Sequence, residues 1–345
     1  MRRRTALILL ALTAGCTGPP GEPAWTRIDL PASAGAALHA AANCDGLFYL
    51  AGGIREEAGG TRPAAWTSKD AVTWEPVRFA PLPTSQYGPL NVISAVACAG
   101  GRVVMLGSAP GGAHGNLRIS SWHRLPDGRM AENPAPFETF GGDTAVDVAH
   151  LAAGPGGFAI AGNRSTGAAA WLSPDGTEFT LFEDAPGLAT GAGPRTVARD
   201  VVQLLDGRWM VVGGRGDRAA AWTSSDGHRW DLVAPRAGPD WSELQRAVRD
   251  GDDVVAVGPR GTSFGTWRLR AGTWTDEGSF GGAPTGVQSL AVVGGHLVVT
   301  GGGLWISGDG TDWQPRSTPE TPVAATGRDS TLLVVTAGAA WRSAI

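Results

Sequence analysis

The chain is short of positive charge, of tyrosine and of long apolar stretches. Lys69 is the only lysine among 28 basic residues, and no basic cluster stands out in a chain of net charge −4. This balance argues against the phosphate contacts that nucleic-acid binding requires, so we expect no nucleic-acid partner. The longest apolar stretch covers about 11 residues near the start, whereas a membrane-spanning helix needs roughly 20. We therefore expect no transmembrane helix.

Residues 1–15 have the pattern of a signal peptide, because three arginines precede a short apolar stretch and a group of small residues. The segment Leu-Thr-Ala-Gly-Cys that ends at Cys16 resembles the lipobox of bacterial lipoproteins, although Thr13 stands where an aliphatic residue is commoner. The resemblance implies that Cys16 carries lipid and becomes the mature N-terminus. The alternative is an ordinary secretory peptide with an unlipidated product. We expect anchoring on the extracytoplasmic side of a bacterial envelope membrane, with residues 16–22 as a flexible linker.

A repeated pattern, W-x-S-x-D-G-x-x-W, runs through the rest of the chain. Clear copies begin at Trp66, Trp171, Trp222 and Trp305, weaker copies begin at Trp122 and Trp267, and a last copy is cut short at Trp341. The leading tryptophans recur at a mean spacing of about 46 residues, which is typical of propeller blades with four strands. Residues 23–345 are therefore predicted to form an all-β, seven-bladed propeller.

Each repeat divides into four predicted antiparallel strands. A dense apolar strand precedes each leading tryptophan, and a milder apolar segment such as Val92–Cys98 lies upstream as the innermost strand. Asp-Gly and Gly-Gly pairs join the two as tight hairpins. The last repeat stops after Trp341 with no fourth strand, and residues 24–31 match the outermost strands of other repeats. The N-terminal strand is therefore predicted to complete the last blade and close the ring.

The motif resembles the Asp-box of the sialidase-like and BNR-repeat propellers, although the glycine here follows the aspartate directly, one residue early. The resemblance implies a structural role in which the serine and aspartate bond back onto the hairpin backbone. The residues concerned are Ser68, Asp70, Ser173, Asp175, Ser224, Asp226, Ser307 and Asp309. A calcium site is the minor alternative, because one carboxylate per turn falls short of six to eight oxygen ligands. We expect no metal site.

Two cysteines remain after Cys16. Cys44 and Cys98 occupy matching places in the first two repeats, and an extracytoplasmic chain can keep them oxidised. We expect a disulfide, worth up to about 4 kcal/mol in the chain-entropy model. The alternative is two buried thiols that act as small apolar residues.

No catalytic set can be assembled from the sequence. Sialidases, which the boxes resemble, use six blades, an arginine triad and a tyrosine nucleophile. Here Tyr49 lies inside a predicted buried strand, and Tyr87 lies in a loop with no supporting glutamate or arginine motif. No G-x-S-x-G elbow, paired-histidine motif or phosphate loop is present. We expect no cofactor.

A ligand site is predicted on the propeller axis. Polar residues near the starts of the innermost strands are His39, Ser94, Asp147, Asp200, Arg246 and Gln288. The loop residues Tyr87, Asp143, Arg195 and Trp241 are predicted to form its rim. The alternative is that these groups only hydrate the axial channel.

The favoured function is a monomeric, non-catalytic binding or scaffolding module for an envelope glycan, peptide or protein. The rival is a glycan-active hydrolase or lyase in which Asp147, Asp200 and His39 divide acid and base roles. A purely structural envelope component is the third possibility.

Overall fold

The computed structural model describes residues 21, 23–111, 116–236, 238–282 and 285–345. These residues form seven blades of four antiparallel strands arranged in a ring, one of which carries a fifth, parallel strand, and this confirms the predicted fold class. The predicted signal peptide, Cys16 and most of the linker lie outside the described residues. Within the described ranges, no helix has the length and apolar character needed to cross a membrane.

The first three blades follow one another along the chain. Blade 1 contains β2 (Ala36–Cys44), β3 (Leu47–Arg55), β4 (Thr61–Ser68) and β5 (Glu75–Pro76). Blade 2 contains β7 (Val92–Ala99), β8 (Arg102–Pro110), β9 (Leu117–Arg124) and β10 (Met130–Glu132), with β6 (Phe79–Ala80) added in parallel beside β10. Blade 3 contains β11 (Ala145–Gly154), β12 (Gly157–Arg164), β13 (Gly167–Ser173) and β14 (Thr180–Phe182).

The remaining blades continue the same order. Blade 4 contains β15 (Thr196–Gln203), β16 (Trp209–Arg215), β17 (Arg218–Ser224) and β18 (Asp231–Leu232). Blade 5 contains β19 (Arg246–Asp250), β20 (Asp253–Arg260), β21 (Ser263–Arg270) and β22 (Thr273–Phe280). Blade 6 contains β23 (Ser289–Val293), β24 (His296–Thr300), β25 (Leu304–Ser307) and β26 (Gln314–Arg316). Blade 7 contains β27 (Pro322–Arg328), β28 (Thr331–Thr336), β29 (Ala340–Ala344) and the N-terminal β1 (Thr26–Arg27). A 3₁₀ turn (Gly88–Leu90) and one helix, α1 (Phe137–Phe140), lie in connecting segments.

Both ends of the chain build blade 7. Thr26 pairs with Arg342 and Arg27 with Trp341 in an antiparallel ladder, and the Ile28 amide donates to the Ala340 carbonyl at 2.9 Å. The innermost strands β27 and β2 lie against each other, so blade 7 packs on blade 1. The predicted closure of the ring by the N-terminal strand is confirmed, and it covers the edge of β29 that would otherwise be unpaired.

The core lies between the blades. The described residues form seven apolar clusters, one for each pair of neighbouring blades. The leading tryptophans Trp66, Trp122, Trp171 and Trp222 are each at most 1% exposed within these clusters. The second strand of each repeat is buried along most of its length because both of its faces meet a neighbouring blade.

The ring has two distinct faces. We call the face where the innermost strands begin, at residues such as Ala36 and Val92, the entry face. The opposite face carries the turns that follow the third strands, at 69–73 and 174–178, and we call it the turn face. A disulfide between Cys44 and Cys98 joins the turn-face ends of β2 and β7, with a Cα–Cα distance of 5.6 Å. It links blades 1 and 2 beside the axis.

Candidate functional site

Every innermost strand carries at least one extra residue that has no partner on the second strand. The pairing of innermost with second strand skips His39, Ser94, Ala149, Arg199 and Val323 in blades 1, 2, 3, 4 and 7. In blade 5, the Gln245 amide donates to the Val257 carbonyl although Val257 is paired with Arg246. In blade 6, the Gln288 amide donates to the Thr300 carbonyl although Thr300 is paired with Ser289. Two residues thus face one in both blades, which is the same bulge. A bulge changes the direction in which nearby side chains point. In each blade, residues at or beside the bulge therefore line the axis.

The bulges surround a cavity of about 500 Å³ on the axis. Its polar lining consists of His39, Ser94, His150, Asp200, Arg246, Gln288, Ser289 and Thr326. The apolar lining comes from small and branched residues, including Val96, Leu290 and Val323. Five of the six predicted strand residues therefore meet in one cavity: His39, Ser94, Asp200, Arg246 and Gln288.

Asp200 is the buried negative charge of the cavity, with its side chain 3% exposed. Its Oδ1 lies 2.6 Å from Nδ1 of His150, and its Oδ2 accepts the Ala247 amide at 2.9 Å. Burial opposes ionisation of Asp200, but His150, Arg246 and the Ala247 amide outweigh it and hold the pKa of Asp200 below its usual value. The carboxylate is thus charged, and it accepts hydrogen bonds from the Val201 and Ala247 amides.

Arg246 is held across the boundary between blades. Its Nε donates to the Gln288 carbonyl at 2.8 Å, and its Nη1 donates to the Gln245 carbonyl at 2.6 Å. Burial lowers the pKa of Arg246, while Asp200 raises it. Because these bonds fix the guanidinium in place, it contributes a positioned charge rather than a mobile one.

An ion pair between Arg199 and Glu243 lies behind the cavity wall. Nε of Arg199 lies 3.0 Å from Oε1 of the buried Glu243, and Gln245 donates to Oε2 of Glu243 at 2.9 Å. The Gln245 side-chain oxygen then accepts the Val287 amide at 2.8 Å. This network ties blades 4, 5 and 6 together behind the cavity wall, which makes that wall rigid.

His39 reaches the cavity from blade 1. Its side chain is accessible from the cavity, yet desolvation by the surrounding wall lowers its pKa. The imidazole is therefore neutral near pH 7 and can both donate and accept a hydrogen bond.

In blade 3, His150 lines the cavity and Asp147 does not. Two register shifts in β11 displace the strand start, and Asp147 accepts a hydrogen bond from Nδ2 of Asn163 at 2.8 Å, beside a separate depression near Arg118. The carboxylates of Asp147 and Asp200 are therefore not assembled in one cavity. Aligning the repeats on the apolar residues after the bulge would have matched His150 with Asp200.

The predicted rim residues lie apart from the cavity. Tyr87 lines a depression with Phe137 on the entry face, and Trp241, which is 47% exposed, lines another beside Gln245. Asp143 and Arg195 are exposed at the surface. The structure thus brings together the strand residues and leaves the loop residues in other places.

The box residues are bonded within their turns. In blade 4, Oγ of Ser224 accepts the Gly227 amide at 2.9 Å, and Oδ1 of Asp226 accepts the His228 amide at 2.9 Å. Equivalent bonds form in the boxes that contain Asp70, Asp175 and Asp309. The amides of Thr73 and Val72 lower the pKa of Asp70 to about 2. In the part of the chain that the structure describes, no three His, Cys, Asp or Glu side chains are grouped to hold a metal ion.

The fold has many solved counterparts at low sequence identity. The virginiamycin B lyase of Staphylococcus aureus matches with a TM-score of 0.61 and 11% identity, over 94% of this chain and 99% of that chain. An extracellular domain from a B. thetaiotaomicron one-component system matches with a TM-score of 0.57 and 12% identity, over 92% of this chain but only 39% of that chain. A Lactobacillus plantarum protein matches with a TM-score of 0.54 and 15% identity, over 84% of this chain and 88% of that chain.

These structures show a β-propeller fold and, at such identities, nothing finer. No protein-family model and no curated protein sequence matches the chain.

Proposed function

We propose that the protein is a cell-envelope lipoprotein whose propeller binds a small polar ligand in the axial cavity without transforming it. The observation that carries this proposal is that the cavity's carboxylate, Asp200, accepts the Ala247 amide through Oδ2 and lies against Nδ1 of His150 through Oδ1. A carboxylate occupied in this way is poorly placed to act as a general base or nucleophile. The fixed charges instead shape a recognition surface.

The ligand class follows from the balance of charges. Asp200 and Arg246 offset each other inside the cavity, and the Ser94 and Ser289 hydroxyls are already hydrogen-bonded within the protein. Among the described lining residues, the polar side chains left to bind a ligand include the neutral His39 and the Gln288 amide. A volume of about 500 Å³ lies in the range of small-molecule sites. A neutral glycan fragment or short peptide from the envelope fits this chemistry.

The position of Pro23, where the propeller begins, supports display of the cavity away from a membrane. The Pro23 carbonyl accepts hydrogen bonds from Ser343 and Arg316, at the turn-face end of blade 7. From a lipidated Cys16, the intervening residues reach at most about 25 Å. A tether of this length would keep the turn face near the membrane and leave the entry face open to the ligand.

Ligand binding is tested by thermal unfolding with a panel of envelope saccharides and short peptides. A ligand at 100 times its dissociation constant should stabilise the fold by about 2.7 kcal/mol. Gln288→Ala and His39→Ala should abolish the shift, whereas Gln314→Ala, an exposed glutamine on the outermost strand of blade 6, should keep it. Turnover of any bound saccharide, or equal shifts in all three variants, would contradict the proposal.

Anchoring is tested independently. Cys16→Ser should move the protein from the membrane to the soluble fraction and remove the incorporation of a labelled fatty acid. A variant that stays membrane-bound and labelled would refute lipidation at Cys16 while leaving the binding proposal intact.

A further inference from the structure

A second polar pocket lies on the turn face, between blades 1 and 2. It has a volume of about 300 Å³, and its charged and hydroxyl-bearing lining consists of Tyr49, Thr67, Glu75, Arg78, Arg124, Asp127 and Arg129. The axial cavity is lined by the innermost strands and opens among the bulges near the entry face, whereas this pocket is lined by outer strands of blades 1 and 2. The two sites are therefore separate.

Three arginines meet in this pocket, and among the described residues only Arg129 forms an ion pair, although Arg78 also lies near enough to Asp127 to lower the pKa of that carboxyl. Nε of Arg129 lies 2.7 Å from Oδ2 of Asp127, and the Arg129 amide donates to Oδ1 of the same carboxylate at 3.1 Å. Within the described ranges, the side chains of Arg78 and Arg124 form neither an ion pair nor a hydrogen bond. Two guanidinium groups thus keep all their donors for a ligand.

Tyr49 supplies the floor of the pocket. This tyrosine is only 1% exposed, and burial raises the pKa of its hydroxyl while the nearby Arg124 lowers it. Nη2 of Arg124 lies 3.8 Å from the position that a Cβ of Gly128 would take, so the guanidinium sits over the β9–β10 hairpin. A neutral phenol and an arginine fork therefore face the same space from two blades.

We infer that this pocket binds a small oxyanion, a phosphate or carboxylate group, between Arg78 and Arg124 with the Tyr49 hydroxyl as a further donor. Planar guanidinium groups match the oxygen pairs of such anions. One free carboxylate, Glu75, faces two free guanidinium groups, so the pocket keeps an excess of positive charge in a chain whose net charge is −4. The same chemistry would recognise a soluble phosphate ester or a phospholipid headgroup.

The test measures binding of inorganic phosphate by calorimetry at low ionic strength. Arg124→Gln and Arg78→Gln should each raise the dissociation constant at least about tenfold, because a hydrogen bond to a charged group contributes 1.5–3 kcal/mol. Arg229→Gln is the matched control, since Arg229 is an exposed arginine on the same face, 81% accessible, and should change binding less than about twofold. Arg124→Lys should bind with intermediate affinity, because it keeps the charge and loses the fork.

A vesicle arm separates the two sources of the anion. The Cys16→Ser protein is sedimented with phosphatidylglycerol vesicles and with phosphatidylcholine vesicles. Phosphate binding alone identifies a soluble ligand, and selective binding to phosphatidylglycerol that requires Arg124 identifies a lipid headgroup. No binding in either arm, or equal weakening by all three glutamine variants, overturns the inference. Far-UV circular dichroism checks that Arg124→Gln folds. If it does not, phosphate binding by Arg78→Gln, which changes an exposed residue, tests the inference instead.

Discussion

The two faces of the ring come from the same seven repeats but use them in opposite ways. On the turn face, four repeats place the same serine and aspartate in the same turn, where both side chains accept hydrogen bonds from the turn's own backbone amides. On the axis, every repeat keeps the same bulge and changes the residue, so His39, Ser94, Arg199 and Gln288 occupy equivalent places. In this protein, the residues that recur from blade to blade stabilise the fold, and the residues that differ at the same bulge position can give a binding site its specificity.

The largest loss of stability is expected where a box turn contacts the neighbouring blade. Gly176 has φ +84°, and a Cβ there would overlap Cγ2 of the buried Val104 in blade 2. Gly176→Ala should lower the free energy of unfolding by about 2–4 kcal/mol, because left-handed strain and overpacking add. Chemical denaturation measures this loss.

Gly207 is the matched control for that change. It has φ +86°, and no atom lies within 4 Å of the place that a Cβ would take, so Gly207→Ala carries the backbone strain alone. About 1 kcal/mol is expected. Equal losses of unfolding free energy at Gly176 and Gly207 would show that contact between the Gly176 turn and Val104 of blade 2 does not contribute to stability.

On the axis, the largest effect is expected at the buried carboxylate. Asp200→Asn removes the charge that faces His150 and Arg246, and we expect a loss of about 2 kcal/mol, less than for a fully buried pair because His150 is partly exposed. Asp206→Asn is the control, since the Asp206–Arg208 pair is about half exposed on both sides and should contribute under about 1 kcal/mol. If the two variants lose the same stability, the cavity charges are not structurally coupled.

A smaller effect is expected from acid. Backbone amides lower the pKa of Asp70 to about 2 and also lower the pKa of Asp175, Asp226 and Asp309. A carboxyl group with a lowered folded-state pKa stabilises the fold above its unfolded pKa, near 3.8, and loses that contribution as the pH falls through the folded value. Stability should therefore fall between about pH 4 and pH 2.

Denaturation at several pH values across this window checks the acid effect. Asp70→Asn should make the dependence on pH shallower, because one titrating group is removed. An unchanged slope would show that the Asp70 turn opens before its carboxylate is protonated.

The smallest effect is expected in the one clear box that lacks its glycine. Ala71 adopts φ 60° in blade 1, and its methyl group is buried against the blade 7–blade 1 cluster. Ala71→Gly relieves about 1 kcal/mol of strain but loses about 0.8 kcal/mol of methyl burial and adds flexibility to the unfolded chain. The net change should stay under about 1 kcal/mol in thermal unfolding. A loss of about 2 kcal/mol or more would show that packing, not backbone strain, dominates at Ala71.

The sequence predicted the ring well because its signals are local and repeated. The tryptophan spacing indicated the number of blades, and the unpaired last repeat pointed to residues 24–31 as its missing strand, where β1 now lies. The site was harder to predict. A bulge shifts the register by one residue without changing the strand's apolar pattern, so Asp147 was named and His150 was missed. The rim depended on loops, whose course no period fixes.

The seam in blade 7 also sets an order on folding. Six blades can form from contiguous chain, whereas β1 must meet β29 across almost the entire sequence. Closing such a loop costs more entropy than forming any local hairpin, so it should be among the last steps. During synthesis, the ring therefore stays open until Trp341 and Arg342 are free to pair. Until then, the sheet edge of blade 7 and the packing faces of blades 1 and 7 are exposed together, the period of greatest risk for misassembly.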